Sequence, residues 1–156
     1  MLTVMGIDLG LSGAIATITV NPHVIHRIDD MPIVAKQICP YLLTSLFRKH
    51  VKEIGVTHIV IENVHAMPNQ GVSSMFKFGR TKGAVEGALA ALGRRYDLIE
   101  PRAWKSKMDL IKKPKNASRD LATKLFGSDQ HWPLKKHDGR AEAALIALTK
   151  GLEYDQ

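Results

Sequence analysis

Four acidic residues stand where a carboxylate is expensive to place. Asp8 ends the apolar run that begins at Leu2 and is flanked by Ile7 and Leu9, and Glu62 ends a second run, His58-Ile59-Val60-Ile61. A carboxylate at such a position is costly to desolvate unless it is paired, hydrogen-bonded or coordinating a cation. Asp138 and Glu142 lie in KKHDGRAEAALIALTKG, one turn apart and so on one face of a helix. Taken singly, each has an ordinary reading: Asp8 as a turn residue ahead of Gly10, Asp138 as a helix cap, Glu142 as a partner of Arg140 or Lys136. Taken together, they form an oxygen-rich donor set of the kind Mg²⁺ or Mn²⁺ prefers, whereas zinc would want Cys or His. Two such ions ~3.5–4 Å apart serve in-line phosphodiester chemistry, one activating the attacking water and the other stabilising the departing 3′ oxygen.

The charge balance points to the same substrate class. The chain carries 22 Lys and Arg against 15 Asp and Glu, a net charge of +7. The surplus is confined to the segment 101–137, where Arg102, Lys105, Lys107, Lys112, Lys113, Lys115, Arg119, Lys124, Lys135 and Lys136 face only Asp109, Asp120 and Asp129. A basic surface on an otherwise balanced chain is the footprint expected of a protein that meets a polyanion such as nucleic acid. A solvated lysine-rich face is the plainer alternative. An acidic cluster beside this surface reads as a metal site next to a DNA-backbone clamp.

The elements that must position these residues follow from periodicity and punctuation. Leu2 to Asp8 reads as a strand buried on both faces, Ala14 to Val20 as a half-buried strand, and His23 to Ile28 as a third after the Asn21-Pro22 turn. Lys36 to Val51 reads as an amphipathic helix with Ile38, Leu42, Leu43, Leu46 and Phe47 on one side and Pro40 in its first turn. Thr57 to Glu62 is a central strand, and Ser73 to Arg94 a long helix whose Gly79, Gly83 and Gly87 would admit a close neighbour: the sheet, another subunit or a DNA backbone. Tyr96 to Ile99 is a short strand. Pro101–Lys107, Ala117–Phe126 (stopped by Gly127) and Gly139–Leu152 are helices, with a loop at 112–116. The order β-β-β-α-β-α-β-α-α predicts a mixed α/β domain with helices on its sheet.

Length and composition set the bounds. The chain has 156 residues, 45% hydrophobic and 24% charged, which suits one globular domain over residues 1–156 and excludes wholesale disorder. No apolar run approaches the ~18 residues of a membrane span, and MLTVMGIDLG lacks the form of a secretory signal. The single cysteine, Cys39, cannot form an intramolecular disulfide and suits a reducing cytoplasm. It is expected on a core or helix face.

Four segments, in order, carry a resemblance: GIDLGLSGAIA, then VIENVHAMPNQGVSSMFKFGRTKGAVEGALAALG, then PRAWK, then KKHDGRAEAALIAL. Together they resemble the successive motifs of RuvC-like Holliday junction resolvases, most closely the short phage-type members. The resemblance implies a ribonuclease H-like fold, a mixed five-stranded sheet flanked by helices, acting as a homodimer. The implied activity is Mg²⁺- or Mn²⁺-dependent nicking of opposing strands of a four-way DNA junction, leaving a 5′-phosphate and a 3′-hydroxyl. Carried over by position, Asp8 would bridge both ions, Glu62 is the fourth-strand glutamate, and Asp138 and Glu142 match the acidic pair on the last helix. Many cellular members space that pair one residue closer and use two aspartates or His and Asp, so His137 is a possible substitute ligand.

The family places an aromatic side chain shortly after the glutamate, where it wedges into the junction; here His65 stands in that place, followed by Met67. The resemblance makes Gln70, Ser73, Ser74, Lys77 and Arg80 candidate DNA contacts, with Met75, Phe76 and Phe78 in the core or a dimer interface. Lys105 and Lys107, with Lys112, Lys113 and Lys115, are candidates for gripping the DNA arms, and Trp104 for a core anchor. Three other readings compete. One keeps the chemistry and changes the substrate, to RNA–DNA hybrid or to flap and fork DNA. Another takes DLGLSG as the phosphate loop of an actin-like ATPase, for whose two lobes the chain is too short. The third is a non-catalytic DNA-binding module, for which four carboxylates near phosphate would be unhelpful.

Overall fold

The computed structural model describes residues 1–156. Five strands form the main sheet: β1 (Thr3–Asp8), β2 (Ala14–Thr19), β3 (Val24–Asp30), then, after a short hairpin of β4 (Ile33–Val34) and β5 (Gln37–Ile38), β6 (His58–Glu62) and β7 (Asp97–Ile99). Their order across the sheet is β3-β2-β1-β6-β7. The first three pair antiparallel, while β6 joins β1 and β7 joins β6 in parallel. Helices α1 (Pro40–Ile54) and α2 (Val72–Ala91) pack on one face; α3 (Pro101–Lys107), α4 (Ala117–Phe126) and α5 (Asp138–Tyr154) pack on the other. The mixed five-stranded sheet flanked by helices expected from the sequence is the architecture found.

The two-residue period of the strands decides which side chains meet α5. In β1, Met5 and Ile7 join the α1/α2 core, while Val4 joins the α5 core. Gly6 shares Val4's face, and a Cβ there would lie 2.2 Å from the Ala143 carbonyl oxygen, so the helix backbone rides directly on the strand. On α5 the small residues Gly139, Ala143, Ala147 and Gly151 recur every fourth position, one line along the helix. Cβ atoms built at Gly139 and Gly151 would collide with Ser12 and Val20. Bulky side chains along that line would push α5 off the sheet.

Three expectations need correction. Strand β2 is buried along its whole length, not half-buried. Its threonines face the core because each hydroxyl has a partner: Thr19 donates to the Pro22 carbonyl, and Thr17 shares a 2.6 Å hydrogen bond with His50 Nδ1. His50 is itself fully buried, its Nε2 lying 2.9 Å from Asp29 Oδ2. Burial pushes the Asp29 carboxyl up, but hydrogen bonds from His50 and Arg27 outweigh it and hold the group at about 2.

Helix α1 begins at Pro40, not Lys36, because a residue preceding proline is driven to extended backbone. Ala35 and Lys36 instead turn the β4–β5 hairpin with positive φ, and Ile38 reaches the core from β5. Of the side expected to be apolar, Leu43 and Phe47 are buried and Leu42 is exposed. Cys39 is a half-buried free thiol residue at the N-cap of α1.

In α2, Phe76 is 75% exposed and no neighbouring group lies within 4 Å of a Cβ built at Gly79, Gly83 or Gly87. The glycines therefore do not serve packing on the sheet. Helix α2 ends at Ala91, three residues before the expected Arg94, α1 runs three residues past the expected Val51, and the β4–β5 hairpin has no counterpart in the expected order; the remaining elements lie within two residues of their expected ends. No helix is long and apolar enough to cross a membrane.

Candidate active site

Asp8 has the parity of Val4 and Gly6, and Glu62 that of His58 and Val60, so both carboxylates leave the sheet on the α5 side. The parallel register that pairs Ile7 with Ile61 ends one residue before them, which makes them neighbours across adjacent strand ends. Helix α5 brings Glu142 to the same place. The absence of a side chain at Gly139 lets the start of α5 approach the β1–β2 loop, with the Cβ position only 3.3 Å from Asp8 Oδ2.

Asp8, Asp138, Gly139 and Glu142 line a cleft of about 760 Å³ together with the loop Leu9–Gly13 and the lysines Lys115, Lys135 and Lys136. Lys135 stands out in the sequence only as part of the basic surplus, and Lys136 also as an ordinary partner for Glu142. Their place beside the acids depends on the 3₁₀ turn at Lys135–His137, which local sequence patterns do not announce.

The acids repel one another. The Asp8 carboxyl is pushed well above its ordinary range, first by burial, then by Glu142 and Glu62. Glu62 is raised by burial and by Glu142, although a hydrogen bond from the Trp104 indole opposes the rise. Glu142 is raised by burial and by Asp138, opposed by Lys105, Ser118 and Lys115. Asp8, Glu62 and Glu142 form no ion pair. The charge on Lys105 favours ionisation of all three.

Each acid is nevertheless oriented. Trp104, fully buried on α3, donates from Nε1 to Glu62 Oε2 at 2.5 Å. Ser118 Oγ on α4 donates to Glu142 Oε1 at 3.3 Å, and Arg119 Nε donates to Asp138 Oδ1 at 2.6 Å. Asp138 is therefore the first residue of α5, paired with Arg119 instead of capping the helix, and Glu142 meets Ser118 instead of Arg140 or Lys136. Arg140 instead forms a two-pronged pair with Asp30, at 2.7 and 2.8 Å, tying α5 to β3.

His137 is buried, and its Nδ1 accepts from the Leu134 N–H, closing the 3₁₀ turn; as folded it does not reach the cleft. No three His, Cys or acidic side chains are gathered into a ready-made metal cage. Glu62 is turned toward Trp104 and Asp138 toward Arg119.

The basic and polar candidates divide between the cleft and its surroundings. Lys115 lines the cleft, and Lys105 stands 5.5 Å from the Trp104 ring centre. Gln70, Ser74 and Lys77 share a neighbouring groove with Gly10 and Leu11, so the β1–β2 loop joins the two depressions. Ser73 is exposed at the start of α2, and Lys112 and Lys113 are exposed on the loop after α3. His65 lies 3.2 Å from Glu100 Oε2. Arg80 donates to Gln37, and Lys107 is engaged by Glu153, which turns it toward the end of α5 and away from the acids.

No protein-family model matches this sequence, and no curated protein matches it. Solved structures do match. The Thermus thermophilus RuvC structure superposes with a TM-score of 0.76 at 15% identity, over 99% of this chain and 96% of that one. T. thermophilus RuvC in complex with Holliday junction substrate gives 0.73 at 15% identity, with the same coverage. The yeast mitochondrial Holliday junction resolvase Ydc2 gives 0.60 at 16% identity, over 97% of this chain and 80% of that one. At such identities the likeness speaks for architecture: this chain has the ribonuclease H-like fold seen in RuvC.

Proposed function

We propose that this protein is a divalent-metal-dependent endonuclease acting on branched DNA, with the four-way junction as its substrate. One observation carries the reading. Asp8, Glu62 and Glu142 come from three separate elements to one place, the first two buried and the third half-buried, mutually repelling and without an ion-pair partner, beside a cleft edged by Lys115, Lys135 and Lys136. Uncompensated carboxylates of this kind are costly to a fold unless a cation joins them. The all-oxygen donor set fits magnesium or manganese. The RuvC and Ydc2 likenesses favour the junction among nucleic-acid substrates.

Asp8, Glu62 and Glu142, with Asp138 at the edge, would hold two Mg²⁺ or Mn²⁺ ions. When bound, such a pair supplies the charge that activates water and neutralises the departing 3′ oxygen. The chain's own residues do the positioning. Trp104 fixes the Glu62 carboxylate, and Ser118 orients Glu142. Lys105 adds positive charge where negative charge accumulates during attack on a phosphodiester. Lys115, Lys135 and Lys136 grip backbone phosphate at the cleft. The groove of Gln70, Ser74 and Lys77 continues the path toward the His65 loop, with Ser73, Arg80, Lys112 and Lys113 on the flanks and Lys107 further out.

A homodimer would place two such sites on one junction, and the exposed face of α2 supports it. Val72, Phe76, Gly79, Gly83, Gly87 and Ala90 form a continuous exposed strip. If two copies cross antiparallel at Gly83, positions equidistant from it meet. Gly79 and Gly87 then lie symmetrically about the crossing point, and the absence of side chains at all three glycines lets the two backbones approach. Such self-complementarity is what a two-fold interface requires.

The deciding experiment is cleavage of a synthetic four-way junction beside linear duplex, flap and RNA–DNA hybrid, in Mg²⁺, Mn²⁺ or EDTA. Paired symmetric nicks confined to the junction and abolished by EDTA are expected. Equal cutting of hybrid or flap would move the assignment to those substrates, and cutting in EDTA would end the metal reading.

A further inference from the structure

Adjacent residues in the first turn of α4 hold Asp138 and Glu142 of α5, and they do so with opposite electrostatic effect. Ser118 gives Glu142 a neutral hydroxyl and leaves its charge uncompensated, whereas Arg119 gives Asp138 a guanidinium at 2.6 Å. Both members of the Arg119–Asp138 pair are about four-fifths buried (20% and 21% exposed), so solvent screens the pair only weakly. A guanidinium does not lose its proton at any pH the protein meets. Asp138 is therefore the one carboxylate of the set whose charge is already cancelled.

We infer that Arg119 is a positioning residue that divides the metal site into two unequal parts, an inference that rests on the metal-dependent reading above. Asp8, Glu62 and Glu142, which meet only neutral donors and no cationic side chain at ion-pair distance, would turn together to hold a first divalent ion. Asp138 joins a second ion only when its bond to Arg119 is exchanged. Until then an approaching dication meets a neutralised ligand and a like charge held against it, which costs affinity at short range. The exchange needs another acceptor for the guanidinium, and a backbone phosphate offers the planar two-oxygen edge that arginine prefers. Arg119 thus ties completion of the site to arrival of the nucleic acid.

The test is Mn²⁺ binding to the full-length protein without DNA, followed through the electron paramagnetic resonance of the free ion. Wild type is expected to bind one ion tightly and a second more weakly by about tenfold or more, the cost of a like charge held against the second ion's ligand. Arg119→Gln removes that charge and brings the second affinity to within about threefold of the first. Arg119→Lys, which keeps the charge without the planar fork, falls between, and this series survives if the Gln variant folds poorly. Asp138→Asn leaves the first ion and removes the second. In junction cleavage, the half-saturating Mg²⁺ of Arg119→Gln shifts downward. Two equal affinities in wild type, or an unchanged pattern in both Arg119 variants, overturns the inference while leaving metal dependence standing. If wild type and Asp8→Asn alike take up no Mn²⁺, the metal reading falls and this inference with it.

Discussion

The indole nitrogen of Trp104 and the Glu62 carboxylate are joined by a 2.5 Å hydrogen bond, which ties the buried core to the acidic site. Trp104 is fully enclosed, so its ring is a core anchor while its one polar atom aims a proposed metal ligand. Trp104→Phe separates the two roles, because it keeps most of the apolar ring and removes the donor. The expected result is a ~10–100-fold loss of Mn²⁺ affinity and junction cleavage, the usual cost of losing a ligand's outer-shell partner. The drop in melting temperature should be modest. Trp104→Ala would instead open a cavity worth ~3–5 kcal/mol. A Phe variant with wild-type metal affinity would show that the bond has no part in the site.

Asp8→Asn tests the electrostatics of the centre. Burial, Glu142 and Glu62 raise the folded-state Asp8 carboxyl above its unfolded value of ~3.9. A raised acid costs stability while it is ionised, so the cost is present above its folded-state value and vanishes below the unfolded one. The variant should therefore melt higher than wild type at pH 7 in EDTA, by ~2–4 °C for each kcal/mol relieved. That advantage should fade as the pH falls toward ~4. Adding Mg²⁺ should stabilise wild type and leave the variant nearly unmoved, since only a ligand that binds the native state shifts melting. Cleavage should fall ~10³-fold or more, because several kcal/mol of charge stabilisation is lost. Melting curves across pH, with and without Mg²⁺, decide the matter, and a destabilised variant at pH 7 in EDTA contradicts it.

Gly139→Ala should damage the site through geometry alone. A Cβ at this position would sit 2.3 Å from the Ser12 carbonyl oxygen and 3.2 Å from Gly13 Cα, both backbone atoms that cannot swing aside. The start of α5 must lift, carrying Asp138 and Glu142 away from Asp8. Overpacking of this kind costs ~1–3 kcal/mol, and a displacement near 1 Å is worth ~10²-fold in rate. Activity should therefore fall far more than stability. Parallel measurements of melting and nicking check this, and a variant cleaving at the wild-type rate would remove Gly139 from the account.

The sequence exposed the strand-end acids because a carboxylate after an apolar run is a local anomaly, visible without any fold. The apolar line on α5 was equally legible from its unbroken alanines and leucines. What stayed hidden depends on long-range partners. Thr17 reads as a solvent-facing residue of an alternating strand until His50 arrives from α1 to satisfy it. Arg119 reads as one more basic residue of a solvated surface until α4 places it on Asp138. His137 sits beside an acid in the sequence, yet the 3₁₀ turn directs its ring nitrogen to the Leu134 amide. Periodicity reports which residues face inward; it does not report which of them meet.

The α2 face yields a prediction free of catalysis and of metal. Gly83 stands at the centre of the exposed strip, where the two copies would cross. Gly83→Leu should abolish association by forcing the crossing helices apart, without unfolding the monomer, because no group lies within 4 Å of that Cβ. Sedimentation equilibrium without DNA measures this. If Gly83→Leu sediments as wild type does, the two-fold seam proposed on α2 is wrong.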